Sequence, residues 1–137
     1  MTVIADTGTL VALIDPDTRE HGWACEQAKF LPKPFLTSEP VLTEAAFLLT
    51  RDGFDADELF AFADAGLIAV GIEFARERHA LRPLMREYHD VPMSLADATL
   101  VRLSERHREC RVFTLDAHFR IYRRHGNKII PLVMPEA

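Results

Sequence analysis

Short apolar runs alternate along this chain with longer stretches in which apolar residues return every three or four positions, a pattern that predicts strands and helices in turn. Val3–Ala5 is apolar throughout and reads as a buried strand, followed by a helix over Thr7–Ile14 that Asp15-Pro16-Asp17 stops. Arg19–Phe30 predicts a second helix, ended by Pro32 and Pro34, and Phe35–Thr37 a second short strand. Ser38-Glu39-Pro40 combines a capping serine with an early proline and opens a third helix, which runs to about Arg51 before Asp52-Gly53 breaks it.

The second half repeats the alternation. Asp55–Ala65 reads as a helix, Leu67–Ile72 as a strand, and Phe74–His89 as a helix with a bend at Pro83. Ser94–His107 is the most clearly signalled helix, because Ser94 and Asp97 have the S-x-x-[DE] spacing of a capped N-terminus. Arg111–Thr114 reads as a strand, Ala117–Arg123 as a short helix, and Ile129–Val133 as the last strand. Strands alternating with helices imply an α/β fold of three layers, α/β/α, around a mainly parallel sheet of about five strands. The 137 residues suit a single domain over 1–137.

Composition narrows the class. With 48% hydrophobic and 27% charged residues the chain is an ordinary globular one. No apolar run is long enough for a membrane span and no signal peptide is evident, so a cytoplasmic protein without membrane contact is expected. Cys25 and Cys110 lack zinc-site spacing and read as reduced thiols.

Net charge is −5, which does not suggest a general nucleic-acid binder, yet the halves differ. Residues 1–68 carry 4 basic and 12 acidic side chains, whereas residues 69–137 carry 12 and 9, and 11 of those 12 are arginines. Arginine suits phosphate recognition through its planar fork, although a solvated helix face explains any one of them equally well. Arg76, Arg78, Arg82 and Arg86 fall on one helix, and Arg120, Arg123 and Arg124 follow Asp116 closely. Of these, Arg120 or Arg124 is the favoured phosphate contact, because the short helix after Asp116 begins beside that acid.

Four acids fall where such a sheet gathers its ligands, outside the carboxyl ends of the strands. Asp6 directly follows the first strand, Glu44 lies in the second turn of the helix after the second, and Asp116 comes two residues after Thr114. Asp97 joins them if its helix starts at the same edge. Each has a plainer role available. Asp97 and Asp116 fit helix caps, Glu44 fits a solvated stripe, and Thr7 or Thr9 could cap the first helix in place of Asp6. Clustered carboxylates repel one another unless a cation compensates, and Mg²⁺ or Mn²⁺ takes such oxygen ligands. Ions so held activate water and stabilise the leaving oxygen of a phosphodiester. Thr114 would then turn its hydroxyl toward Asp6 or a bound water, although a β-branched residue ending a strand needs no such role, and His118 stands close enough in sequence to meet a phosphate, although a plain surface histidine is the commoner case.

The same residues resemble a known pattern. Val3-Ile4-Ala5-Asp6-Thr7, Leu42-Thr43-Glu44, Asp90-Val91-Pro92-Met93-Ser94-Leu95-Ala96-Asp97 and Val112-Phe113-Thr114-Leu115-Asp116 are similar, in order, to the four acidic motifs of PIN-domain proteins. Glu20-His21-Gly22-Trp23-Ala24 resembles the start of the second helix in their VapC-like toxin branch. The resemblance implies a PIN-like fold and a Mg²⁺-dependent endoribonuclease, with Mn²⁺ as a substitute, that acts on RNA as the toxin of a type II toxin–antitoxin pair. It implies metal binding through Asp6 and Asp97, with Glu44 and Asp116 completing the catalytic pocket. It also implies a homodimer, inhibited by a small DNA-binding antitoxin. Gly8 departs from the Ser or Asn of many members, and Ala117 to Arg120 lack a further acid that some place there. The alternative is a PIN-like module that binds RNA or serves as a scaffold without catalysis.

Overall fold

The computed structural model describes residues 1–136. Its main sheet has five parallel strands: β1 (Thr2–Ala5), β2 (Phe35–Thr37), β3 (Ile68–Val70), β4 (Cys110–Phe113) and a last strand at Leu132–Val133. Strand order is β3-β2-β1-β4 and then the last strand. Six helices flank it: α1 (Thr7–Ile14), α2 (His21–Phe30), α3 (Glu39–Arg51), α4 (Asp57–Asp64), α5 (Phe74–Glu87) and α6 (Leu95–Arg106). This is the three-layer α/β arrangement that the alternation of runs predicts.

The topology matters more than the count. The chain begins in the middle of the sheet, builds β2 and β3 to one side, and then crosses to place β4 on the other side of β1. Strand order therefore reverses at the β1–β4 seam, and in open α/β sheets the crevice beyond the carboxyl ends at such a point receives ligands. The seam is in register, Ala5 opposite Phe113, so the next residues on each strand, Asp6 and Thr114, emerge side by side.

A continuous core holds this frame. Val3, Ile4 and Ala5 on β1 and Val112 and Phe113 on β4 are fully buried, packed with Leu10, Leu49, Leu81, Leu100 and Leu103 from the helices. Burial of each such aliphatic or aromatic side chain contributes about 1.5–3 kcal/mol before chain entropy is counted. Phe113 sits between the edges of Trp23 and Phe35, each ring centroid 5.7 Å away. Gly71, just past β3, is a close approach: a Cβ there would stand 3.1 Å from Leu36 Cδ1.

Three elements differ from the sequence reading. Helix α2 begins at His21 rather than Arg19, because Thr18 and His21 continue a turn from Asp15 through backbone hydrogen bonds. The segment expected to be helical over Ala117–Arg123 is a 3₁₀ turn, η1, over Ala117–Arg120 only. Arg123–Arg124 (β5) instead pairs antiparallel with Lys128–Ile129 (β6). The turn between them places His125 and Gly126 at φ 53° and 85°, a conformation that glycine accepts readily. Ile129 thus belongs to this hairpin, and the main sheet's last strand is reduced to Leu132–Val133 (β7). Helix α5 runs through Pro83 as one element, although the proline nitrogen cannot donate to the carbonyl of His79.

Candidate active site

Asp6 ends β1 and caps α1. Its Oδ1 accepts from the Thr7 amide at 2.7 Å and its Oδ2 accepts from the Thr114 hydroxyl at 2.7 Å. The acid itself therefore caps the helix, where Thr7 and Thr9 were the alternatives. Thr7 donates to Glu44, and Thr9 donates to the Phe113 carbonyl at 2.8 Å, tying α1 to β4. Thr114 orients its hydroxyl on Asp6 as the sequence suggested.

Only 5% of Asp6 is exposed, and burial is the main reason its pKa is pushed up to about 6. The hydrogen bonds from Thr114 and Thr7 work against that rise, and the charges of Asp97 and Asp116 add to it. The last two contributions are the informative ones, since they come from two other candidate acids converging on the same seam. A carboxylate so placed is one whose charged form gains from any nearby positive charge.

Asp97 arrives from the first turn of α6. Ser94 and Asp97 form a full capping box, with Ser94 Oγ accepting from the Asp97 amide at 3.0 Å and Asp97 Oδ2 from the Ser94 amide at 3.3 Å. The same Oδ2 accepts a 2.8 Å hydrogen bond from the Tyr122 hydroxyl. Tyr122 is fully buried, and its own pKa is raised by burial and then by Asp97. Neither its role nor its position was read from the sequence. The one usable signal was an aromatic six residues beyond Asp116.

Asp116 caps η1, its Oδ1 accepting from the His118 amide at 2.9 Å, with His118 Nδ1 at 3.2 Å from the same oxygen. His118 is exposed and pairs through Nδ1 with this acid. Glu44 is exposed on α3, yet Thr7 Oγ1 reaches its Oε1 at 3.5 Å. Desolvation raises its pKa first and the charge of Asp97 second, so its carboxylate lies on the rim of the same group. Capping roles and electrostatic coupling thus coexist: Asp6, Asp97 and Asp116 each cap a helical element, and the charges of Asp97 and Asp116 act on Asp6. Gly8 is not demanded by packing, since an added Cβ would lie at ordinary contact, 3.8 Å, from Leu115.

Among the described residues no three His, Cys, Asp or Glu side chains already form a metal-holding cluster. The donor set nevertheless fits hydrated Mg²⁺, which takes one or two carboxylates directly and keeps several waters. Asp6 has a lone pair left on each oxygen, and Asp97 Oδ1 and Asp116 Oδ2 accept no hydrogen bond among the described residues.

The two arginines favoured for phosphate contact differ in their surroundings. The Arg124 guanidinium is occupied by the chain itself, Nη1 donating to the Ser104 carbonyl at 2.9 Å and lying 3.4 Å from Cys110 Sγ. Arg123 likewise donates to the carbonyls of Arg120, Ile121 and Tyr122. Arg120 remains exposed. Asp90 is exposed too, 2.6 Å from His89 Nε2. No described helix is long and apolar enough to cross a membrane.

No family model matches the sequence, and no curated protein matches it either. Architecture does find a counterpart. The crystal structure of VapC20 from Mycobacterium tuberculosis, a toxin that cleaves the sarcin-ricin loop, superposes with a TM-score of 0.74 at 21% identity. The match covers 85% of this chain and 91% of that one. With the strand order, the switch point and the acids at its mouth already described, that likeness establishes that this chain has the PIN-like fold of the VapC toxin.

Proposed function

We propose that this protein is a Mg²⁺-dependent endoribonuclease, the toxin of a toxin–antitoxin pair acting in the cytoplasm. The observation that carries the reading is the state of Asp6: a buried carboxylate, raised to about pKa 6, in the field of Asp97 and Asp116 at the switch point of a fold shared with an RNA-cleaving toxin. Asp6 and Asp97 are the proposed ligands, with Glu44 and Asp116 completing the acidic pocket. When bound there, the cation supplies the positive charge that lowers the pKa of a water and stabilises the leaving oxygen. Thr114 and Thr7 fix the Asp6 carboxylate, Tyr122 and the capping box fix Asp97, and Glu44 stands on the solvent side, where it can accept a proton from an attacking water.

The partners follow from the same surface. An acidic pocket is blocked by an inserted Arg or Lys, and a small DNA-binding antitoxin carrying such a residue is the expected inhibitor. Phe47 on α3 and Phe60 on α4 are 66% and 70% exposed, apolar side chains that a second copy of the chain would cover. The direct test is cleavage of single-stranded RNA by the purified protein with and without Mg²⁺. Activity that survives EDTA, or that is unchanged in Asp97→Asn, would sink the reading. RNA binding without any cleavage under all metal conditions would favour the non-catalytic alternative.

A further inference from the structure

The acidic centre repels phosphate, so a nuclease built on it must hold RNA elsewhere. Helix α5 divides its charges. Glu77, 5% exposed, takes Arg102 at 2.8 Å and Arg106 from α6, and Arg76 lies 3.4 Å from Glu73. Arg78, Arg82 and Arg86, four residues apart, form one exposed stripe with no carboxylate partner among the described residues, Arg78 also donating from Nη1 to the carbonyl of Ala75 in its own helix. Successive members rise about 6 Å along the helix, comparable to the step between phosphates on an extended strand.

These three arginines line a groove that also contains Phe74 and Leu95. A second groove, lined by Glu44, Ser94 and Ala96, contains the same Phe74 and Leu95. Leu95 stands two residues before Asp97. The two grooves share Phe74 and Leu95 as walls, so a strand passing from one to the other would follow a path from Glu44, at the rim of the acidic pocket, to the arginine stripe. Phe74 lies at the junction, 56% exposed. A basic track with an aromatic ring set beside it is how single strands are held without sequence preference, phosphates on the cations and a base on the ring.

We propose that this path holds the single-stranded RNA flanking the phosphate to be cut, with Arg78, Arg82 and Arg86 on successive phosphates and Phe74 stacked on a base next to the acidic pocket. The proposal rests on the ribonuclease reading and adds where its substrate runs. An acidic protein segment would satisfy the charges but would leave Phe74 without a planar partner, and the guanidinium fork matches phosphate.

The test is fluorescence anisotropy of a short labelled single-stranded RNA, across a salt series, on the full chain carrying Asp6→Asn to prevent cleavage. Arg78→Ala, Arg82→Ala and Arg86→Ala should each lower the slope of log affinity against log salt by about 0.7. Phe74→Ala should weaken binding about fivefold or more with the slope unchanged. Arg51→Ala removes an exposed arginine, paired with Asp52 at 3.0 Å, and serves as the charge-matched control that changes neither. If the α5 variants bind like their parent while the unsubstituted protein still cleaves RNA with Mg²⁺, the path is wrong and the ribonuclease reading stands. A protein that neither binds nor cleaves RNA overturns both. Polyglutamate bound with the same arginine dependence, and RNA without it, reassigns the groove to an acidic protein segment.

Discussion

The hydroxyl of Tyr122, in a ring with no exposed surface, donates a 2.8 Å hydrogen bond to the Asp97 carboxylate. Tyr122 is packed edge-on against Tyr88 and Phe119, each 5.2 Å between centroids, so the donor is fixed by the core rather than by solvent. The consequence is that Oδ2 of Asp97 is held by a capping amide and a phenol, and Oδ1 accepts no hydrogen bond among the described residues.

Tyr122→Phe keeps the packing and removes only that donor. Unfolding in denaturant should show a loss of roughly 1–2 kcal/mol, the lower part of the range for hydrogen bonds to charged groups because Asp97 is half-exposed and gains water. RNA cleavage should fall while the Mg²⁺ concentration needed for half activity rises. An unchanged metal requirement would mean that Asp97 needs no orientation.

Asp6 sets a pH dependence of unusual sign. Its folded pKa, about 6, lies above the unfolded value of 3.8, so the folded state holds its proton more tightly. The stability this contributes is complete below about pH 4 and is lost as pH rises through about 6. In EDTA near neutral pH, Asp6→Asn should therefore be more stable than the parent by roughly 1–3 kcal/mol, and the gap should close in acid. Denaturant titrations at the two pH values would check this, and equal stability at neutral pH would contradict it.

A cation that binds only the folded protein should reverse that order. At a hundredfold excess over its dissociation constant, linkage adds about 2.7 kcal/mol. Thermal melts with Mn²⁺ should raise the midpoint of the parent and leave Asp6→Asn and Asp97→Asn almost unmoved. Equal shifts in all three would place the cation elsewhere.

Glu77 provides a control remote from the chemistry. Its pKa is lowered, chiefly by the hydrogen bond from Arg102, so its contribution is present above the unfolded value and is lost as pH falls through the folded one. Glu77→Gln should cost roughly 1–3 kcal/mol, less than a fully buried pair because Arg106 is half-exposed. Cleavage by the folded fraction should be unaffected. A catalytic loss at saturating Mg²⁺ would show that the α5–α6 contact controls the pocket.

The hairpin at Arg123–Ile129 shows where sequence reading failed. His125-Gly126-Asn127 is a turn signal between two short runs, but each strand has only two residues, too few to show a period. Arg124 failed for a different reason. Nothing near it in sequence indicates that Ser104, on another element, presents a carbonyl to its guanidinium.

Much of the rest was legible because it is local. Apolar runs mark β1 and β2, the Ser94 to Asp97 spacing marks the cap of α6, and each candidate acid stands next to a strand or helix end. Local signals report backbone preference and capping, which depend on a few neighbouring residues. The order of strands, the burial of Asp6, its hydrogen bond to Thr114 across 108 residues and the phenol on Asp97 depend on which elements meet. Sequence by itself determined which carboxylates were available and at which ends of which elements. Only the tertiary structure decided that Asp6 is desolvated and that the charges of Asp97 and Asp116 reach it, because burial and Coulomb coupling act through space, and distance along the chain does not measure them.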